Sequence, residues 1–105
     1  MMKKLILLFL LSFQAHAELN ADMSVFFSYR CKPCEIMKQH LDTFAAKHQV
    51  DIHYIEVEQH PELCQQYRVT ATPTLFVGEQ KVEMKGLQSF QQLDQELLAM
   101  LAHLD

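Results

Sequence analysis

Little in this chain would break it into parts. Its 105 residues hold no internal repeat, no low-complexity tract and only two glycines, Gly78 and Gly86. That excludes a repeat array or a string of linked modules, and the length allows one small domain. Cations are scarce as well: nine Lys and Arg face thirteen Asp and Glu, for a formal net charge of −4. Such a surface disfavours nucleic acid and anionic lipid as partners. Cysteines number three, an odd count that argues against a simple structural disulfide framework. At least one sulfur is left for another task.

The longest apolar run stands at the start. Met1-Met2-Lys3-Lys4 is short and basic, Leu5 to Leu11 is unbroken apolar chain, and Ala15-His16-Ala17 is a small-x-small site. This three-part pattern is that of a secretory signal peptide, so residues 1–17 are expected to be removed and residues 18–105 to form the domain. A spanning helix needs about 20 apolar residues, and this run fades at Ser12 to Gln14. No Cys lies at the cleavage site to take a lipid. Without Lys3 and Lys4, seven basic residues face thirteen acidic ones, a net charge of −6. The expected destination is exported, periplasmic or secreted, where thiols do not stay reduced by default.

Val25 to Tyr29 is aromatic and β-branched and reads as a buried strand. Met37, Leu41, Phe44 and Ala45 recur at helical spacing, predicting an amphipathic helix from Cys34 to about Lys47. Ile52 to Val57 alternates as a second strand covered on both faces, and Pro61 opens a short helix. Thr74 to Val77 is a third strand. Gly78-Glu79-Gln80 turns into a fourth, Val82 to Lys85, with Lys81 and Lys85 guarding an edge. Ser89 followed by Gln92 has capping-box spacing, and Phe90, Leu93, Leu97, Leu101 and Leu104 line one face of a closing helix. The order is β-α-β-α-β-β-α. A strand–helix–strand unit demands a parallel pair and the short turn an antiparallel one. The fold class is therefore α/β, a mixed four-stranded sheet flanked by helices.

The chemistry lies at Cys31-Lys32-Pro33-Cys34, where the first strand hands over to the first helix. Two thiols at this spacing can close a small disulfide ring and reopen it. Cys31, at the helix N-terminus, is the expected attacking sulfur: free N–H groups and the helix dipole favour its thiolate, and Arg30 and Lys32 add positive charge. Glu35 opposes them. Each unit of pKa depression is worth about 1.4 kcal/mol. Cys34, one turn on, should be more enclosed and should resolve the mixed disulfide, with Pro33 stiffening the turn. The alternative reading is a copper module, since two thiolates also suit Cu(I); a structural zinc site would want four ligands. Cys64 reads as a small buried apolar residue. The histidines His40, His48, His53, His60 and His103 show no ligand spacing, and His40 and His48 read as solvated.

An aromatic strand ending at C-x-P-C, then Tyr67-Arg68-Val69, Thr72-Pro73-Thr74, Leu75-Phe76-Val77-Gly78, Gly86 and a terminal helix resembles the thioredoxin superfamily over nearly all of residues 18–105. The resemblance implies a minimal version of that fold, because little chain precedes Val25. It implies thiol-disulfide exchange with no organic or metal cofactor, protein thiols or disulfides as substrates and a protein as recycling partner. It also implies a cis bond at Thr72–Pro73 beside the sulfurs, against the roughly 5–6% base rate for X–Pro. The backbone of Thr72 would then bind an extended substrate by strand addition. The signal-peptide pattern and Thr72 before Pro73 look more like exported, Dsb-type proteins, and three departures point away from cytoplasmic thioredoxin. Arg30 replaces a Trp, Val25 a buried Asp, and Tyr54 a buried Lys. Lys32 and Pro33 between the cysteines, with Arg30 beside them, argue for a more oxidising potential than thioredoxin's. No dimerisation segment is visible, so a monomer is expected.

Overall fold

In β1, Met23–Phe27, the first four residues are buried whichever way their side chains point. A half-exposed strand would alternate, so β1 must have neighbours on both edges and cover on both faces. A computed structural model of the protein, describing residues 18–104, gives it both. With β2 at Ile52–Glu56, β3 at Thr74–Val77 and β4 at Gln80–Lys81, the sheet order is β2-β1-β3-β4. β2 runs parallel to β1 with Met23 opposite Ile52 and Phe27 opposite Glu56. β3 runs antiparallel with Val25 opposite Leu75. The expected signal segment, residues 1–17, lies outside the described residues. Among those described, no helix is long and apolar enough to cross a membrane.

The parallel β1–β2 pair needs a long crossover, and α1, Lys32–His48, supplies it. Its Met37, Leu41 and Phe44 bury one stripe against Met23, Val25, Leu75 and Val77. Gln49 ends the helix in the left-handed region at φ 56°, donating its N–H to the Ala45 carbonyl. The closing helix α3, Phe90–Leu101, adds Leu93 and Leu97 to the same core. Ser89 Oγ accepts from the Gln92 N–H at 3.1 Å, and Gln92 Oε1 accepts from the Gln88 N–H at 2.6 Å. The capping box thus closes one residue further out than the standard pattern. Phe90 and Leu104, expected on the buried face, stay substantially exposed.

The opposite face carries a smaller cluster, Leu19, Phe26, Ile55 and Phe76. It is covered by Leu63, Cys64 and Tyr67 from around the short helix α2, Pro61–Gln66. A single 3-10 turn, Val57–Gln59, links β2 to α2, capped by Glu56 Oε1 accepting from the Gln59 N–H at 3.0 Å.

Two expectations need correction. β2 lies at the sheet edge, and His53 is exposed, so this strand is not covered along its length. The fourth strand is Gln80–Lys81, not Val82 to Lys85. Val77 pairs with Gln80, leaving Gly78-Glu79 as a two-residue turn, with Gly78 at φ 59°. The ladder's last bond runs from the Val82 N–H to the Leu75 carbonyl. Beyond it, Glu83 Oε1 takes the Lys85 N–H, and a turn with Gly86 at φ 93° joins the Met84 carbonyl to the Leu87 N–H. Those local bonds outcompete strand pairing. Among the described residues the architecture is the expected α/β one: a mixed four-stranded sheet in β-α-β-α-β-β-α order with three α-helices.

Candidate active site

β1 ends at Phe27, and four residues carry the chain from it to the start of α1. The Cys31 N–H bonds to the Ser28 carbonyl at 3.0 Å, and Ser28 Oγ accepts from the Arg30 N–H at 3.2 Å. This tight turn delivers Cys31 as the N-cap of α1, with φ −101° and ψ 105°. Caps are normally oxygen side chains. Here sulfur takes the role: Cys31 Sγ accepts from the Cys34 N–H at 3.2 Å. The two sulfurs are joined as a disulfide across a Cα–Cα distance of 5.2 Å. Cys31 is half-exposed, while Cys34 retains 5% exposure. Lys32 and Pro33 between them are exposed, as is Arg30.

Across from the pair lies the loop between α2 and β3. The Thr72–Pro73 bond is cis, and the Thr72 carbonyl oxygen stands 3.6 Å from Cys31 Sγ. The loop is braced on both sides. The Val69 N–H bonds the Cys64 carbonyl at 2.8 Å, Lys81 Nζ donates to the Arg68 carbonyl at 2.9 Å, and Thr74 Oγ1 donates to the Ala71 carbonyl. So the structure brings Cys31, Cys34, Thr72 and Pro73 together, with Arg30, Lys32 and Pro33 on the same rim.

Behind Cys34 is a recess of about 360 Å³ walled by Val25, Phe27, Ser28, Tyr29, Cys34, Glu35, Lys38 and Tyr54. Tyr54 Oη donates to Asp42 Oδ1 at 2.7 Å, and Lys38 Nζ donates to Asp42 Oδ2 at 2.8 Å. Lys38 also sits 4.8 Å from the centre of the Tyr54 ring. The Lys38 and Tyr54 bonds hold the Asp42 carboxyl below the usual range. Burial, then the bond to Asp42, pushes the Tyr54 hydroxyl well above its ordinary value, so it stays protonated. Sequence reasoning missed this network. The i,i+4 spacing of Lys38 and Asp42 was its visible half; Tyr54 joins them only through the fold.

A second cavity, about 400 Å³, opens on the other side of Thr72 and is lined by Val57, Pro61, Cys64, Val69, Thr70, Ala71 and Thr72. Cys64 is a half-buried free thiol with Sγ 3.8 Å from the Val57 carbonyl. Burial first, then the charges of Glu62 and Glu56, push its pKa up. His40, read as solvated, is instead tied to α3. Its Nε2 lies 2.6 Å from Asp94 Oδ1 and its ring stacks on Phe90 at 4.0 Å. Among the described residues no three His, Cys, Asp or Glu side chains gather to hold a metal.

A disulfide capping a helix beside a cis-proline loop invites comparison with known proteins. Residues 21–98 match the family model described as Thioredoxin domain. A thioredoxin-like protein of Synechocystis sp. is 29% identical over 77 residues, spanning 69% of this chain and 73% of that protein. Among solved structures, thioredoxin 1 of Thermosipho africanus superposes with a TM-score of 0.64 at 22% identity, covering 76% of this chain and 93% of its own. A mutant thioredoxin of Halobacterium salinarum gives 0.63 at 24% identity over 79% of this chain and 76% of its own. Those two likenesses speak for the fold, while the family match spans most of the sequence and takes in both cysteines and Pro73. This chain belongs to the thioredoxin domain family, and its Cys31–Cys34 bridge is a disulfide of the redox type.

Proposed function

We propose that this protein is an exported thiol-disulfide oxidoreductase that exchanges disulfides with protein substrates through Cys31 and Cys34. The observation that carries the reading is the position of Cys31 Sγ: at the tip of α1, bonded to Cys34, and 3.6 Å from the Thr72 carbonyl. A sulfur there meets unpaired helix N–H groups when the bridge opens, which favours thiolate. Arg30 and Lys32 act in the same sense.

In the reducing direction the Cys31 thiolate attacks one sulfur of a substrate disulfide. A Cys31–substrate bond forms, the substrate bond breaks, and the released thiolate takes a proton. Cys34 then gives up its proton and attacks Cys31 Sγ. The Cys31–Cys34 bond forms and the second substrate sulfur leaves, so two electrons have passed to the substrate. Oxidation runs the same steps backwards. The Thr72 carbonyl and N–H offer an edge to an extended substrate chain. The cationic rim favours the reduced thiolate, and so an oxidising potential relative to thioredoxin. Every step uses sulfur and protons alone, so no cofactor enters, and a second redox protein resets the pair.

Titration of the pair in glutathione buffers tests the direction. A midpoint above thioredoxin's, which lies at about −270 mV, is expected; one at or below that value makes the protein a reductase. Cys34→Ser should accumulate client proteins bonded to Cys31, and their absence would sink the protein-substrate reading. Export rests on the Met1–Ala17 pattern. The mature protein should begin at Glu18, which N-terminal sequencing of the secreted fraction reads directly.

A further inference from the structure

The rim around Cys31 differs in character from the rest of the molecule. The chain is acidic overall, yet Arg30 and Lys32 flank Cys31, both exposed. The ion pairs found among the described residues are Lys38–Asp42, His40–Asp94 and His60–Glu62, and none neutralises either cation. Two positive charges on a negative protein, placed one residue either side of the attacking sulfur, form a local field that no ion pair neutralises and that the exposed Glu35 in the first turn offsets only in part.

Apolar surface accompanies that charge. Tyr29 is 74% exposed and Ile36 is 54% exposed. Both belong to the segment that surrounds the cysteines. Tyr29 also walls the recess behind Cys34, together with Phe27 and Tyr54, and packs edge-on against Phe27 at 5.2 Å. The recess holds about 360 Å³, and its wall is mainly apolar through Val25, Phe27, Tyr29 and Tyr54, with Glu35 and Lys38 also lining it. That is at the small end of ligand pockets and suits one large side chain. The floor reaches Cys34, so a group seated there sits beside the disulfide itself.

Resting on the redox reading above, we propose that this face selects one kind of protein cysteine: one with acidic neighbours and a bulky apolar side chain close by. Arg30 and Lys32 meet the carboxylates, and the recess between Tyr29 and Tyr54 receives the apolar group. The charges act mainly on encounter rate and on rejection of basic partners, whereas the recess acts on residence. A charge-assisted pair at an exposed rim contributes little stability by itself. The selectivity should therefore show in rates and fade as salt rises.

The test uses the full-length protein, reduced, and four synthetic peptides. Each carries a single Cys as a mixed disulfide with thionitrobenzoate, flanked by two Glu or two Lys, with Trp or Ser two positions on. Cys31 attacks the peptide sulfur, thionitrobenzoate leaves, and its absorbance gives the rate. Cys31→Ser protein supplies the background from the two remaining thiols, Cys34 and Cys64. The Glu/Trp peptide should react fastest, and Glu should exceed Lys by about ten-fold at low salt, with the gap shrinking at high salt. Arg30→Glu with Lys32→Glu should invert the Glu-over-Lys order, and Tyr29→Ser should erase the Trp-over-Ser preference while leaving the charge preference in place. Equal rates on all four peptides, or a preference that survives the charge swap, overturn the proposal and leave the redox reading standing. No Cys31-dependent release from any peptide overturns both.

Discussion

Two helices of this molecule open near a proline and carry a cysteine, α1 with Pro33 behind Cys31 and α2 with Pro61 ahead of Cys64. They treat sulfur in opposite ways. Cys31 is the cap of a 17-residue helix, with a backbone N–H directed at it and the charges of Arg30 and Lys32 alongside. Cys64 sits inside a helix of six residues, half-buried, with Glu62 and Glu56 near enough to raise its pKa. Residue type does not distinguish a redox thiol from an inert one here. Place on the helix and the sign of the surrounding charge do.

The sharpest way to break that contrast is to delete each sulfur in turn. Cys31→Ser should lower disulfide exchange by about a thousand-fold or more, because a hydroxyl does not ionise near neutral pH. Cys64→Ser should leave exchange within about two-fold of the parent, its thiolate being disfavoured by burial. An insulin-reduction or dithiol-oxidation assay reads both. Next in size is how firmly each helix is seated. Leu41, fully buried in α1, should lose about 2–5 kcal/mol on change to Ala. Leu63, half-buried in α2, should lose clearly less, and urea unfolding compares them.

Competitive alkylation sharpens the comparison at the thiols themselves. In the reduced protein at neutral pH, Cys31 should react about ten-fold faster than Cys64, the ratio per unit of pKa separation. Because the Cys64 value is raised, its reactivity should climb only as the pH becomes alkaline, and the ratio should narrow there. A flat ratio across pH would refute the electrostatic account. Asp94→Ala should cost about 1 kcal/mol by breaking the bond from α3 to His40 of α1.

The smallest effect is expected at Asp42, about half-exposed beside Lys38. Its folded value lies below the ordinary one. The stability it adds is therefore present above the ordinary carboxylate range and lost as the pH falls through the folded value. Asp42→Asn should then cost under about 1 kcal/mol at neutral pH, and the difference should vanish in acid. Thermal melts at pH 7 and below pH 3 measure it.

Much is legible in the sequence where a short stretch carries its own reason. The C-x-P-C pair, the amphipathic stripe Met37, Leu41, Phe44 and the Ser89–Gln92 cap are local patterns whose spacing fixes their geometry. The fourth strand is misplaced by patterning because Val82 satisfies both strand spacing and core burial, and only the Gly78 turn decides where pairing stops. His40 reads wrongly as solvated because its partner Asp94 is 54 residues away.

The sequence by itself determined the order of elements, the helix tip that carries Cys31 and the cationic residues beside it, since propensity, capping and period act over a few residues. Tertiary structure decided what faces that tip, and of those groups only Thr72 and Pro73 were anticipated, through the family resemblance and not through any local pattern. Thr72 reaches Cys31 across 41 residues, Tyr54 reaches Asp42 across the recess, and Cys64 comes within the field of Glu56. Such meetings depend on strand register and helix docking, which sum contacts over the whole chain and leave no mark at any one position.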